Sequence, residues 1–196
     1  MLIIGCAAAH GESRKHEYGV QWASDYKGRG ESAKHYASFI NHELMYWIKE
    51  NYLIDENTKT GIAGWSLGGL MAFDIGWHAP DLFDLIGVFS GSFWWRNPNI
   101  VQDDEHHRLM HHRVMHTSDK PTLKVWFQAG TEDEKADRNQ NGIIDVIDDT
   151  LDLMYQMKSK GYEEGKDMVF HIEEGGRHDV ETWNRMMPLF FEWAVN

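Results

Sequence analysis

Short apolar runs that alternate with amphipathic helical patterns constrain this chain more than any other feature. The runs cover residues 2–6, 60–65, 84–89, 123–129 and 168–172. Strands so continuously apolar are typical of a parallel sheet that is covered on both faces. Helical patterns cover 32–52, 67–78, 149–160 and 180–193, the last bent or interrupted at Pro188. The alternation predicts βαβ crossovers and an α/β fold with a mostly parallel sheet of about five strands.

Composition limits the classes of partner. The chain has 196 residues, 42% of them hydrophobic, and a formal net charge of -12. This length predicts one domain over residues 1–196, and the negative charge argues against a nucleic-acid partner. No apolar run approaches the roughly 18 residues that span a bilayer, so we expect no membrane span. The single cysteine, Cys6, is the last residue of the apolar run 2–6, which we interpret as a buried strand rather than a lipoprotein signal.

A glycine-rich turn, GWSLGG at 64–69, joins a predicted strand to a predicted helix. In a G-x-S-x-G turn the serine lies at a sharp strand-to-helix junction, where glycines relieve backbone strain and crowding. Such a turn exposes the hydroxyl of Ser66, and the amide of Leu67 can donate to an oxyanion. We predict Ser66 as a nucleophile and Leu67 as an oxyanion donor. The alternative is a glycine turn with an incidental serine.

A serine nucleophile needs a histidine base and a group that orients the histidine. His178 follows the last predicted strand in a glycine loop and is the candidate base. Asp133 follows the strand at 123–129 and is the candidate acid. Its rivals are Glu132, Glu134 and Asp179. The order serine, acid, histidine, each after a strand, is that of the α/β-hydrolase arrangement.

Several motifs together resemble the esterases of the α/β-hydrolase superfamily, which include esterase D-like, feruloyl and enterochelin esterases. The motifs are R-x-x-E-Y at 14–18, GWSLGG at 64–69, SGSFWW at 90–95, GTED at 130–133, and GRH at 176–178 leading to Trp183. The resemblance implies a three-layer α/β-hydrolase fold and a triad of Ser66, His178 and Asp133. Family members begin with further strands, so we expect an N-terminally shortened sheet. We expect a homodimer to cover the edge that this leaves exposed, or the apolar face beside it.

A second motif, DRNQNGIIDVID at 137–148, matches the EF-hand calcium loop by position. The predicted ligands are Asp137, Asn139, Asn141, the carbonyl of Ile143, Asp145 and Asp148. We expect a structural calcium ion that fixes the neighbouring acid loop, and no organic cofactor. The alternative is an acidic turn that caps the next helix. Plentiful extracytoplasmic calcium favours a periplasmic or secreted parent protein, although the compartment stays open.

Aromatic residues in the loops at the strand ends could form a substrate cleft or pack in the core. The predicted substrate-binding residues are Trp65, Trp94, Trp95 and Arg14. Five histidines between positions 106 and 116 could hold a transition metal, or could form a solvated, pH-sensitive flap over the site.

The leading functional prediction is a serine esterase that acts on a small-molecule carboxylic ester. The substrate would be an acyl or aryl ester of a carbohydrate, or a siderophore-type lactone. The second hypothesis is a calcium-dependent binding or assembly module on a catalytically impaired hydrolase scaffold.

Overall fold

The computed structural model describes residues 1–55 and 57–195, and its central feature is a sheet of four parallel strands. Their order in the sheet is β1-β2-β3-β4. The strands are β1 Gly61–Trp65, β2 Leu85–Phe89, β3 Lys124–Glu132 and β4 Met168–Arg177. The four apolar runs from residue 60 onward therefore form strands as predicted, and their parallel order confirms the α/β class.

Helices lie before and between the strands. They are α1 Arg14–Glu17, α2 Ala33–Ser38, α3 Met45–Asn51, α4 Leu67–His78, α5 Leu109–Met115, α6 Asp145–Ser159 and α7 Val180–Val195. A 3-10 helix, Gly11–Ser13, precedes α1, and a π-helical stretch, Phe39–Leu44, joins α2 to α3. The last helix continues through Pro188 without interruption. None of these described helices is both long and apolar enough to cross a membrane.

Helices cover both faces of the sheet. Neighbouring residues of one strand point to opposite faces, so their contacts show which helix lies on which face. A Cβ atom on Gly76 of α4 would lie 2.6 Å from the Ile86 side chain. A Cβ atom on the next strand residue, Gly87, would lie 2.7 Å from Phe190 of α7. Helices α4 and α7 therefore pack on opposite faces, and the fold has the three layers of an α/β-hydrolase.

Residues 2–6 do not form a strand, so that prediction is wrong. The side chains of Leu2 and Ile3 are exposed, and β1 pairs only with β2 among the described residues. A strand needs a neighbour for its backbone hydrogen bonds, and apolar character alone does not supply one. The sheet therefore has four strands rather than about five, although Cys6 still packs against the core.

Candidate active site

The turn between β1 and α4 holds Ser66 in a strained conformation. Its φ is 56° and its ψ is -123°, a region that residues with a side chain rarely adopt. A Cβ atom at Gly64 would lie 2.2 Å from the carbonyl oxygen of Gly68, so this position requires glycine. Leu67 is the first residue of α4, where amides lack an intrahelical acceptor. The turn therefore has the features of a nucleophile elbow.

Neighbouring segments hold the serine turn in place. The amide of Ser66 donates to the carbonyl of Phe89 at the end of β2, at 2.9 Å. The amide of Ser92 donates to the Ser66 carbonyl at 3.2 Å. The ring of Tyr18 lies 3.5 Å from where a Cβ atom of Gly68 would be. The SGSFWW and R-x-x-E-Y motifs of the sequence therefore meet at this turn.

Asp133 and His178 lie together beyond the ends of β3 and β4. Oδ1 of Asp133 is 3.2 Å from Nδ1 of His178, an ion-pair distance, and the aspartate side chain is fully buried. The other oxygen, Oδ2, accepts a hydrogen bond from the Gly130 amide at 3.1 Å. The contact with His178 is not aligned as a hydrogen bond, so Oδ1 has no hydrogen-bond donor. Because a buried carboxylate oxygen is costly without a polar neighbour, His178 is the group that compensates it.

An irregularity in the pairing of β3 and β4 brings the side chains of Asp133 and His178 next to each other. A Cβ atom at Gly130 would lie 2.1 Å from the carbonyl oxygen of Gly176, so the two strands approach closely there. The ladder register shifts between Gly130 and Glu132, where β4 carries extra residues. Such a bulge re-aims the end of a strand. Here it places His178, which follows β4, beside Asp133, which follows β3.

The rival acids are engaged elsewhere. Glu132 forms an exposed ion pair with the last residue of β4 at 3.0 Å. Glu134 accepts a hydrogen bond from an amide at the start of α6 at 2.7 Å. Asp179 accepts one from the first turn of α7 at 2.8 Å, and this hydrogen bond lowers the pKa of its carboxyl group. Asp133 is therefore the carboxylate placed against His178.

Aromatic rings connect His178 with the serine turn. The ring of Trp183 packs edge-on against His178, with centroids 5.1 Å apart. The same indole lies 6.4 Å from the ring of Trp65, which directly precedes Ser66. Its N–H donates to Oγ of Ser90 at 2.9 Å. Sequence reasoning noted Trp183 only as part of a family motif, because nothing in its spacing shows these contacts.

The four predicted substrate-binding residues differ in their surroundings. Trp65 is 40% exposed beside Ser66, whereas Trp94 is half-buried. Trp95 is fully buried in the core, so its predicted place in a substrate cleft is wrong. Its ring packs against the close approach of two glycines, which leaves it no access to solvent. Arg14 is exposed, and its guanidinium carbon lies 6.0 Å from the centroid of the Tyr18 ring.

The predicted calcium loop folds around its own polar side chains. The carboxylate of Asp137 accepts the amides of Asn141 and Gly142 at 3.1 and 3.0 Å. Gly142 has a φ of +85°, which favours glycine. The side-chain amides of Asn139 and Asn141 donate to Asp148 at 2.6 and 3.2 Å. The side chains at loop positions 1, 3, 5 and 12 therefore lie close together, and the two asparagines turn their amide nitrogens toward Asp148.

The predicted calcium loop is hydrogen-bonded to the segment that carries the candidate acid. Asp145, the ninth loop position, is the first residue of α6, and its amide donates to the carbonyl of Ala136 at 2.8 Å. The next amide, that of Val146, donates to Glu134 at 2.7 Å. Ile143, the seventh position, is exposed at the turn. The loop and the residues after Asp133 therefore form one hydrogen-bonded unit.

The histidines between 106 and 116 do not share one helix. Helix α5 begins after His106 and His107, so the second of these cannot pair with His111 along a helix face. His111 is buried, with Nε2 2.9 Å from the carbonyl oxygen of Asp149, and burial lowers its pKa to about 3. The prediction of a solvated flap is therefore wrong for His111, which is buried. His112 and His116 instead approach an aspartate on the preceding segment.

Sequence comparisons identify the family. Residues 3–191 match the esterase family described as "Putative esterase". The protein YbbA of Bacillus subtilis is 27% identical over 173 residues, which are 87% of this chain and 62% of that protein. The iron(III) enterobactin esterase of Dickeya dadantii is 41% identical over 49 residues, which are 25% of this chain and 11% of that enzyme. The chain thus spans less than two thirds of these relatives.

Solved structures show the same fold at low identity. The enterobactin esterase FES of Shigella flexneri superposes with a TM-score of 0.56 and 21% identity, over 80% of this chain and 39% of that one. A ferulic acid esterase gives a TM-score of 0.59 and 19% identity, over 81% and 60% of the two chains. With a family match over residues 3–191 and a serine turn directly after the first strand of the sheet, this chain belongs to that esterase family.

Proposed function

We propose that this chain hydrolyses carboxylic esters, with Ser66 as nucleophile, His178 as base and Asp133 as the orienting acid. One observation carries the proposal: buried Oδ1 of Asp133 lies 3.2 Å from Nδ1 of His178 beyond the carboxyl ends of β3 and β4, and the strained Ser66 turn follows the carboxyl end of the parallel strand β1. Membership of an esterase family supports the same chemistry. The ordered sequence of the three residues, each directly after a strand, supports their common role.

The position of Asp133 decides which nitrogen of His178 can act as the base. A carboxylate beside Nδ1 favours the proton on that nitrogen, which leaves the lone pair of Nε2 free. Nε2 would take the hydroxyl proton of Ser66 as its oxygen bonds to the ester carbonyl carbon. The carbonyl oxygen becomes an oxyanion, and the amide of Leu67 would donate to it.

The tetrahedral intermediate then breaks its bond to the leaving alkoxide. His178 returns the proton to that oxygen, so an alcohol departs and an acyl group remains on Ser66. Water repeats the sequence with the same base, which releases the carboxylic acid and restores the serine. The water supplies the oxygen of the acid and the proton of the hydroxyl, so no further reactant is needed.

The surface beside Ser66 supports esters that carry an aromatic group. Trp65 is exposed there and lies 6.4 Å from Trp183, so the two indoles offer a wall against which a flat ring can pack. Arg14 adds a cation near the same turn. An aromatic acyl or aryl ester of a carbohydrate and a catecholate lactone both fit this description. Parallel assays with a feruloyl sugar ester and a catecholate trilactone, set against an acetyl ester, would distinguish them.

The hydrolysis of a p-nitrophenyl ester tests the proposal. We expect Ser66→Ala to lower turnover by about 10³-fold or more, because the nucleophile is lost. Ser38→Ala is the matched control, because Ser38 is an exposed serine on α2. Turnover that survives in Ser66→Ala would contradict the proposal. A folded parent chain with no turnover would favour the calcium-dependent binding module instead.

We also propose that the loop at 137–148 holds a structural calcium ion. Oxygens of Asp137, Asn139, Asn141, the Ile143 carbonyl, Asp145 and Asp148 would hold it, and the convergence of the side chains at positions 1, 3, 5 and 12 supports this fit. Calcium would neutralise the acidic loop and would take no part in the bond-making steps. Because the loop is bonded to the segment after Asp133, an ordered loop would also steady the catalytic acid.

Thermal unfolding with and without calcium tests this second proposal. Calcium at about 100 times its dissociation constant should stabilise the fold by roughly 2.7 kcal/mol, and a chelator should remove this gain and lower turnover. Asp137→Asn should abolish the calcium-dependent shift, whereas Asp119→Asn, an exposed acid elsewhere, should retain it. Melting that calcium leaves unchanged in the parent chain would contradict the proposal.

A homodimer is the remaining proposal about partners. Within residues 1–55 and 57–195, β1 has a strand neighbour on one side only, so its other edge presents unpaired backbone groups. A second copy of the chain could cover this edge. Sedimentation should then show a dimer that dissociates on dilution, and a stable monomer at all concentrations would contradict it.

A further inference from the structure

Two histidines and an aspartate form a compact cluster at the end of α5, which we call the α5 cluster. It consists of Asp103, His112 and His116. Nδ1 of His112 lies 2.7 Å from Oδ1 of Asp103, and Nε2 of His116 lies 3.1 Å from Oδ2. In the described part of the chain, it is the one group of three such residues whose ligand atoms all lie within 4.8 Å of one another.

Local contacts orient both imidazoles of the α5 cluster. Nδ1 of His116 donates to the carbonyl oxygen of His112 at 2.8 Å, which leaves Nε2 as the nitrogen that faces Asp103. This is the arrangement in which metal-binding histidines are usually held. The ring of His112 lies 4.1 Å from that of His116 and 5.9 Å from the ring of Trp22. The donor atoms are thus positioned by groups outside the cluster as well as by one another.

Buried ion pairs anchor the two segments that carry the α5 cluster. Arg108, just before α5, pairs with Asp149 of α6 at 2.7 Å, and both side chains are buried. His111 on the same helix contacts the Asp149 carbonyl oxygen at 2.9 Å. Asp104, the neighbour of Asp103, pairs with Arg108 at 2.9 Å. The helix and the segment before it are therefore fixed to the same core element, which suits a preformed ligand set.

We propose that the α5 cluster binds a divalent transition metal ion, with zinc the best match. Two imidazole nitrogens and one carboxylate oxygen are ligands that zinc accepts, whereas calcium and magnesium favour sites made of oxygen alone. Three protein ligands leave a fourth position for water in a tetrahedral site. The side chains of Asp103, His112 and His116 are 43%, 26% and 53% exposed, so an ion can enter from solvent.

The metal would tie the segment before α5 to the last turn of that helix. This role is separate from ester hydrolysis, because no member of the α5 cluster belongs to the triad. The site is also separate from the predicted calcium loop, which offers only oxygen ligands. Binding of the two ions should therefore be independent, and calcium should not displace zinc.

Metal titration of the chain without an affinity tag tests the proposal directly. The protein would be freed of transition metals and kept in saturating calcium, then titrated with Co²⁺ and Zn²⁺. We expect one equivalent of Co²⁺ per chain with a visible d–d absorption band that Zn²⁺ removes. His112→Ala, His116→Ala and Asp103→Asn should each weaken Zn²⁺ binding, measured by calorimetry, by about tenfold or more.

Two controls keep the result interpretable. His35→Ala removes an exposed helical histidine outside the α5 cluster and should leave the Zn²⁺ affinity unchanged. Melting curves without metal should show that each variant is folded, and His116→Gln would replace any alanine variant that is not. Absence of the Co²⁺ band would overturn the proposal. Equal Zn²⁺ affinity in the parent chain and in the folded cluster variants would also overturn it.

Discussion

Replacing Asp133 by asparagine tests the role of the buried acid with little change in shape. Oδ2 accepts the Gly130 amide at 3.1 Å, and the amide oxygen of asparagine can keep that hydrogen bond. The new NH₂ group then takes the place of Oδ1, 3.2 Å from Nδ1 of His178. An NH₂ group donates, so Nδ1 must become the acceptor and the proton must move to Nε2. The histidine is then held in the tautomer that cannot accept the proton of Ser66.

The expected loss follows from this tautomer change. In a serine protease triad the same substitution lowers kcat by about 10⁴-fold, or about 5.4 kcal/mol of transition-state stabilisation. The contact between Asp133 and His178 is at ion-pair distance but is not aligned as a hydrogen bond. We therefore expect a loss of about 10³- to 10⁴-fold in kcat for Asp133→Asn. KM should change little, because the acid does not touch the substrate.

Steady-state hydrolysis of a p-nitrophenyl ester provides the measurement. Glu132→Gln is the matched control, because this adjacent acid is 56% exposed and pairs with an arginine rather than with His178. Its turnover should stay within about twofold of the parent chain, as expected for an exposed pair. A folded Asp133→Asn variant that retains more than about a tenth of the parent kcat, a loss of less than about 1.4 kcal/mol, would refute the orienting role of Asp133.

Three further predictions concern stability. Gly64→Ala should lower the free energy of unfolding by about 3 kcal/mol or prevent folding, because the new Cβ atom would lie 2.2 Å from a backbone oxygen. Gly5→Ala is the control, because a Cβ atom there would have no neighbouring atom within 4 Å, and it should be nearly neutral in the same denaturant titration. Arg108→Ala should lower the free energy of unfolding by about 3–5 kcal/mol, because the buried carboxylate of Asp149 loses this partner. Arg177→Ala removes an exposed ion pair and should lower it by less than about 1 kcal/mol. His111 has a pKa lowered to about 3 by burial, so between about pH 6.5 and 3 the unfolded chain binds a proton that the folded chain does not. Its contribution should therefore make the melting temperature fall with decreasing pH across that window, and His111→Gln should reduce this dependence; an unchanged pH profile would contradict the assignment.

The fold could be predicted largely because the two central strands, β2 and β3, are buried on both faces. Continuous apolar runs such as those of β2 and β3 have few other uses in a chain of this length. The same signal failed for residues 2–6, where Leu2 and Ile3 are exposed, because apolar character alone does not supply a neighbouring strand. Helix α6 begins at Asp145 rather than at Asp149, because the last four positions of the 137–148 motif also form its first turn, where Val146 and Ile147 are buried like the later apolar positions. Local patterns thus locate elements better than they locate pairings.

The candidate site could be predicted in order and type but not in contacts. Glycine positions such as Gly64 carry a steric requirement that is readable from the motif. The choice of Asp133 over Glu132 is not readable, because it depends on a bulge between distant strands. Burial of Trp95 and His111 likewise depends on tertiary packing, since both lie in segments of mixed polarity. Short motifs thus predict the types and order of the site residues, whereas their contacts and burial depend on how distant segments pack together.

Ser66 is proposed above all as a nucleophile that is activated at the carboxyl ends of the parallel strands. Covalent labelling with a fluorophosphonate, followed by intact mass and peptide mapping, tests it most directly. We expect one adduct per chain, on the peptide that contains Ser66, and much slower labelling in a folded His178→Ala variant. A folded parent chain that takes no label, or that carries it on a different serine, would contradict the role of Ser66 as the nucleophile.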